Sequence, residues 1–106
     1  NNWEWLEERE EVLSNSLTDE WFEALIRLSK SSKDFDMMDK LENIKSPTLL
    51  IAGNRDQLTP VYEMNKIYEK IEGAKMLIIQ NAGHASCYEK MDEFNTAVLG
   101  FIAVNK

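Results

Sequence analysis

Two residues with catalytic potential each follow an apolar run. In "LLIAGNRDQLTP", residues 49–60, the acid is Asp56, and in "LIIQNAGHASCYE", residues 77–89, the base is His84. A carboxylate that accepts a hydrogen bond from one ring nitrogen of a histidine fixes its tautomer and stabilises its protonated form. The other ring nitrogen can then take a proton from a nucleophile. The pair therefore indicates nucleophilic hydrolysis and raises the question of where the nucleophile lies.

The elements that must position this pair alternate from Pro47 onward. "TLLIAG" is continuously apolar, as expected of a parallel strand covered on both faces, and "KMLIIQ" is the second strand. Helical spacing of apolar residues predicts one helix over "VYEMNKIYEKIEG", with Val61, Met64, Tyr68 and Ile71 on one face. It predicts another over "MDEFNTAVLGFIAV", with one side formed by Met91, Phe94, Val98, Phe101 and Ile102. A strand, crossover helix and strand in this order form a right-handed unit whose strands are parallel and usually adjacent.

This topology predicts that Asp56 and His84 meet. Both residues lie just beyond the carboxyl ends of their strands, and neighbouring parallel strands are about 4.8 Å apart, so the two loops leave the same edge of the sheet. Gly83 suits the turn before His84, and Gly53 ends the first strand without a bulky side chain. We expect a carboxylate oxygen of Asp56 within hydrogen-bond distance of a His84 ring nitrogen.

The first part of the chain, residues 1–45, has a helical and acidic sequence. In "LTDEWFEALIRL", Thr18 is placed as an N-cap, and the apolar side of the helix carries Trp21, Leu25 and Leu28. For Trp3, Trp5 and Trp21 we expect packing in a core or an interface rather than in the wall of a substrate pocket. The sequence thus divides into a helical segment, 1–45, and a strand-containing segment, 46–106.

The motifs of the second segment resemble the C-terminal part of the α/β-hydrolase superfamily. That family places its triad acid after the penultimate core strand in a G-x-x-D-x-x-x-P setting, matched here by Gly53, Asp56 and Pro60, and its triad histidine in a G-H pair after the last strand, matched by Gly83 and His84. The resemblance covers about residues 44–104. It implies an α/β fold, in which cap-like or lid-like helices precede a parallel β-α-β-α unit, with Asp56 and His84 as catalytic residues and no cofactor.

The nucleophile of that family does not have a counterpart in the sequence. It lies on a G-x-S-x-G elbow upstream of the acid, and this pattern is missing here. Ser86 and Cys87 follow His84 on the same loop without an evident oxyanion site, so they are poor candidates for the nucleophile. For Cys87 we expect the role of a small buried apolar group. The chain also opens on Asn1 rather than Met. We therefore expect a C-terminal part of a hydrolase that is inactive without a missing N-terminal part, which would be its partner.

The same residues also allow other interpretations. Asp56 could simply cap a turn or the following helix, and His84 could be a structural loop residue. The chain could be a non-catalytic interaction module derived from the hydrolase fold, or an unrelated small βαβα domain. The last possibility gains weight if Asp56 and His84 lie far apart.

Composition limits the partners. The 106 residues suffice for one domain at most, with 43% hydrophobic and 29% charged residues, as in ordinary globular proteins. Nineteen acidic and twelve basic residues give a net charge of −7, which argues against nucleic acid and anionic membranes as partners. The single cysteine, Cys87, permits no internal disulfide, so a cytoplasmic location is expected. The sequence has no metal-ligand spacing, and its small-molecule substrate cannot be read from it.

A two-stranded sheet is too small to be stable alone in water. The strand "TLLIAG" would also leave an edge open that earlier strands of a complete fold would cover. We therefore expect self-association, as a dimer or another homo-oligomer, through this edge or through the tryptophan-bearing helices.

Overall fold

The computed structural model describes residues 2–106, without the side chains of residues 2, 3, 5 and 6. The predictions for Trp3 and Trp5 therefore lie outside the described residues. The chain forms two compact units, of which one ends at Asp36 and the other runs from Met37 to Lys106.

The first unit contains helix α1, Asn2–Ser16, and helix α2, Asp19–Ser32. The predicted N-cap of α2 is confirmed, because the Thr18 hydroxyl accepts a hydrogen bond from the backbone N–H of Trp21 at 3.2 Å. The Trp21 ring packs edge-on against Phe22, with 5.0 Å between ring centroids. The apolar side of α2 is nevertheless uncovered: Trp21, Leu25 and Leu28 are all exposed. A cap-like role for this unit stays a prediction.

The second unit contains the sheet and the helices around it. In chain order it has a 3-10 helix at Met38–Asn43, β1 at Leu49–Gly53, α3 at Val61–Lys70, β2 at Lys75–Ile79, α4 at Ser86–Glu89 and α5 at Met91–Val104. In the described chain the sheet consists of β1 and β2, which pair in parallel with Leu49 opposite Lys75 and Gly53 opposite Ile79. The predicted parallel β-α-β-α unit is thus confirmed.

A small core lies where α3 and α5 pack on the sheet. The buried apolar residues are Ala52, Ile71, Ala74, Ile79 and Ala82. The prediction for α3 was wrong in two respects: the helix ends at Lys70, and Ile67 is half-buried in place of Tyr68, which is 42% exposed. Ile71 is buried in an extended conformation just after the helix, so it does not continue the helical spacing.

Much apolar surface of this unit stays uncovered. Phe94, Val98 and Phe101 of α5 are half-buried, whereas Met91 and Ile102, predicted on the same side, are more than half exposed. These exposed apolar side chains are available for contact with further protein. None of the helices in the described chain combines the length and the apolar character needed to cross a membrane.

Candidate functional site

The predicted contact between Asp56 and His84 is present. Nδ1 of His84 lies 3.0 Å from Oδ2 of Asp56. Because the two residues are 28 positions apart in the chain, the contact depends on how the loops after β1 and β2 are held together.

Backbone hydrogen bonds continue the parallel pairing beyond the strand ends. The N–H of Asn54 donates to the carbonyl of Ile79 at 3.0 Å, and the N–H of Arg55 donates to the carbonyl of Ala82 at 2.9 Å. These bonds hold the residue just before Asp56 against the segment that leads to His84. The loops are therefore in register before their functional side chains begin.

The side chain of Asn54 also joins the two loops. Its Oδ1 accepts a hydrogen bond from the backbone N–H of Asn81 at 2.8 Å, and its Nδ2 donates to Oε1 of Gln80 at 2.8 Å. Asn81 has a φ of 58°, in the left-handed region that asparagine tolerates better than most residues. The tight turn after β2 is thus tied to the loop after β1.

Gly53 is required by the same close approach. A Cβ at this position would collide with the backbone carbonyl oxygen of Ala82 and would lie 2.5 Å from that of Gly83. Both atoms belong to the backbone, which cannot rotate away as a flexible side chain would. The sequence expectation that Gly53 makes room at the end of the strand is confirmed.

The carboxylate of Asp56 accepts four hydrogen bonds. Oδ1 accepts from the backbone N–H groups of Leu58, at 2.8 Å, and Thr59, at 2.9 Å. Oδ2 accepts from the Thr59 hydroxyl at 2.9 Å and faces the ring of His84. Asp56 therefore does both things that the sequence suggested: it caps its own turn, and it contacts His84.

These contacts lower the pKa of Asp56 from its ordinary value of 3.8 to about 2. The backbone N–H of Thr59 has the largest effect, and the hydrogen bonds of His84, of the Thr59 hydroxyl and of the Leu58 N–H add to it, while partial burial raises the pKa. The Asp56 side chain is 6% exposed. The carboxylate is consequently ionised throughout the neutral range.

The ionised Oδ2 can only accept hydrogen bonds, so the geometry favours the tautomer in which Nδ1 of His84 carries the proton. The Thr59 hydroxyl oxygen is 3.4 Å from the same nitrogen. The His84 side chain is 57% exposed, and within residues 2–106 its ring is hydrogen-bonded to no serine or cysteine. Nε2 of His84 is thus available to accept a proton.

The loop that carries His84 is closed from its other end by Glu89. The carboxylate of Glu89, the last residue of α4, accepts the backbone N–H of Gly83 at 3.1 and 3.3 Å. Motif spacing and hydrophobic patterning do not single out Asn54, Thr59 or Glu89. For Thr59 a signal existed, because an aspartate in a loop commonly accepts hydrogen bonds from backbone N–H groups a few positions later in the chain.

In the part of the chain that the structure describes, no cluster of metal ligands surrounds this pair, since it has no group of three or more His, Cys, Asp or Glu residues arranged to hold a metal ion. An apolar depression of about 450 Å³ lies between β2 and α5, lined by residues such as Leu77, Ile79 and Thr96, and it includes neither Asp56 nor His84. Ser86 is buried and Cys87 is half-buried.

Known proteins resemble this chain in sequence. The family described as "TAP-like protein", a group of α/β-hydrolases, matches residues 25–103. The proline iminopeptidase of Thermoplasma volcanium is 34% identical over 74 residues, which are 69% of this chain and 24% of that enzyme. A 2-hydroxy-6-oxononadienedioate/2-hydroxy-6-oxononatrienedioate hydrolase of Klebsiella pneumoniae is 32% identical over 77 residues, or 72% of this chain and 27% of that enzyme.

A solved structure extends the likeness over almost the whole chain. MGS-M2, an α/β-hydrolase enzyme from a Medee basin deep-sea metagenome library, superposes with a TM-score of 0.79 and 40% identity over 94% of this chain and 37% of its own. The chain spans about a quarter of the length of the curated relatives described above. These likenesses exclude an unrelated small domain, and the chain belongs to the α/β-hydrolase family.

Proposed function

We propose that Asp56 and His84 are the acid and the histidine of a Ser-His-Asp triad whose serine lies outside this chain. The observation that carries the proposal is the 3.0 Å contact between Oδ2 of Asp56 and Nδ1 of His84. It stands at the carboxyl edge of a parallel sheet, where ligands bind in open α/β folds. The four hydrogen bonds to Asp56 keep it ionised and correctly oriented for this task.

In this proposal His84 acts first as general base and then as general acid. Nε2 takes the proton of the serine hydroxyl while the serine oxygen attacks the carbonyl carbon of the substrate, and the resulting imidazolium is stabilised by the carboxylate of Asp56. The proton on Nε2 then passes to the leaving group as its bond to the carbonyl carbon breaks. Water hydrolyses the acyl-enzyme by the same two proton transfers. The triad residues themselves form no bond to a cofactor in this reaction.

The partner in this reaction is an N-terminal part of the same kind of enzyme. It would supply the serine and the oxyanion donors, and it would cover apolar surface such as that of Leu99, which is 67% exposed. The substrate is a small molecule with an ester or related bond. The two curated relatives are named for different substrates, so the names do not narrow the substrate class further.

A chimera tests the proposal. In MGS-M2, the segment that corresponds to this chain is replaced by the 106 residues, and hydrolysis of a short-chain aryl ester is compared with that of MGS-M2 itself. We expect an active chimera in which His84→Ala abolishes turnover and Asp56→Asn lowers it by about 10⁴-fold, as loss of the acid does in a triad. A matched control is Lys106→Ala at the exposed last residue, which should leave turnover unchanged.

A chimera that folds and remains active with His84→Ala would contradict the proposal. A chimera in which both substitutions act only through loss of folding would contradict it as well, and circular dichroism of each variant distinguishes this case. If Asp56→Asn leaves turnover unchanged while His84→Ala abolishes it, His84 takes part in the reaction and the role proposed for Asp56 is contradicted.

We also propose that the isolated chain self-associates. The two strands of the described sheet leave an open edge on β1, whose residues Leu49 to Ile51 are only half-buried. Pairing of this edge with that of a second copy would satisfy its backbone hydrogen-bonding groups and extend the sheet.

A further inference from the structure

We infer that Asn54 is a positioning residue that holds the His84 loop at the distance from Asp56 that the triad requires. This inference rests on the proposed function. Asn54 lies two residues before the acid, and its hydrogen-bond partner Asn81 lies three residues before the histidine. The side chain of Asn54 therefore spans the two loops next to the point where their functional groups meet.

The bond to Asn81 secures a strained part of the turn. Asn81 adopts a φ of 58°, and its N–H donates to Oδ1 of Asn54 at 2.8 Å. Apart from the contacts of His84 itself, the bonds of Asn54 to Gln80 and Asn81 are the side-chain hydrogen bonds that link these loops in the described chain. Without them, the turn after β2 loses a fixed partner, and the His84 ring is free to move relative to Asp56.

The two bonds of Asn54 are not equivalent. Oδ1 accepts from a backbone N–H whose position is fixed by the turn, whereas Nδ2 donates to the side chain of exposed Gln80. A residue that keeps an acceptor at the Oδ1 position should therefore preserve most of the function. The substitution Asn54→Asp keeps this acceptor, whereas Asn54→Ala removes it.

The single histidine of the chain makes the effect measurable. A long-range ¹H–¹⁵N spectrum reports which ring nitrogen of His84 carries the proton, without any assignment problem and without a need for catalysis. In the full 106-residue chain at a pH where the ring is neutral, we expect the Nδ1–H tautomer to predominate. Asp56→Ala, which removes the acceptor, defines the spectrum of an unconstrained ring.

With this reference, Asn54→Ala should shift the tautomer ratio of His84 toward that of Asp56→Ala. Asn54→Asp should restore the ratio of the original chain, and Gln80→Ala should leave it nearly unchanged. A purely structural role of Asn54 would lower the thermal midpoint and leave the tautomer ratio of the folded protein as it is. If Asn54→Ala does not fold, Asn54→Ser replaces it, because serine keeps a polar group but is too short to reach Asn81.

The outcomes distinguish a failure of the inference about Asn54 from a failure of the triad proposal. If Asp56→Ala changes the His84 spectrum and folded Asn54→Ala or Asn54→Ser does not, the inference about Asn54 is overturned and the triad proposal stands. If Asp56→Ala itself leaves the spectrum unchanged, the proposed pairing of acid and histidine fails, and the role of Asn54 fails with it. A shift in Asn54→Asp equal to that in Asn54→Ala would also overturn the inference, because the acceptor would then be irrelevant.

Discussion

Asp56 presents one carboxylate oxygen, Oδ2, to Nδ1 of His84 at 3.0 Å and keeps the other, Oδ1, for two backbone N–H groups of its own turn. The turn fixes the direction of the carboxylate, so the contact with His84 does not depend on a freely rotating side chain. Because the turn holds Oδ1 while Oδ2 faces the ring, a short loop can orient the histidine.

The first prediction concerns the titration of Asp56. Its carboxyl ¹³C resonance should titrate with a pKa of about 2 in the folded chain, below the ordinary value of 3.8. Because the folded pKa is depressed, the stabilisation that the ionised group provides is complete above about pH 3.8 and is lost as the pH falls toward 2. Asp56→Asn assigns the resonance and should flatten the pH dependence of stability in this window. A pKa near 3.8 in the folded chain would contradict the four hydrogen bonds.

The second prediction separates the hydroxyl of Thr59 from its backbone. Thr59→Val removes the hydroxyl that donates to Oδ2 but keeps the N–H that donates to Oδ1. The pKa of Asp56 should rise only part of the way toward 3.8, since that N–H has the largest effect on it. Thr59→Ser retains the hydroxyl and is the matched control. An unchanged pKa in Thr59→Val would show that the hydroxyl does not bond to Asp56 in solution.

Contacts that depend on strand topology could be predicted from the sequence, whereas contacts that depend on side-chain conformation could not. Strand order and the meeting of Asp56 with His84 follow from hydrophobic patterning and from the handedness of a β-α-β unit, so both were predictable. The hydrogen bonds of Asn54 to Gln80 and Asn81 were not, because they depend on side-chain rotamers and on the φ of a single residue.

The helix faces show a second limit of sequence reasoning. Helical spacing identified the apolar residues of α2 and α5, but it could not tell which of them the chain itself covers. Trp21 and Ile102 are both apolar and both exposed in the structure. Which surface is buried depends on the neighbours of each helix, and helical spacing contains no information on those neighbours.

The third prediction tests the close approach at Gly53. Gly53→Ala places a methyl group against the backbone of Ala82 and Gly83, and we expect a loss of about 1–3 kcal/mol in the free energy of unfolding, as for other overpacked sites. Gly100→Ala is the matched control: a Cβ there meets no atom within 4 Å, and alanine in helix α5 should add up to about 1 kcal/mol. Urea unfolding measures both. Equal stability of the two variants would mean that the loops separate easily.

The fourth prediction concerns assembly. Sedimentation velocity over a range of concentrations should show the isolated chain as a dimer or larger species at tens of micromolar protein, because the open edge of β1 and the exposed apolar side chains favour association. Dilution should shift the distribution toward smaller species. A monomer that stays folded at all these concentrations would contradict this expectation.

The last prediction is that the isolated chain does not hydrolyse esters. An acid and a histidine without a nucleophile can only activate water weakly, and an enzyme that loses a triad member keeps just the rate that its oxyanion hole and binding site supply. The proposed triad assigns both the serine and the oxyanion donors to another part of the enzyme. In a short-chain aryl ester assay, the chain and its His84→Ala variant should therefore give equal rates, close to that of buffer. Turnover above the buffer rate that disappears in His84→Ala would reveal a nucleophile within the 106 residues, and Ser86→Ala and Cys87→Ala would then identify it.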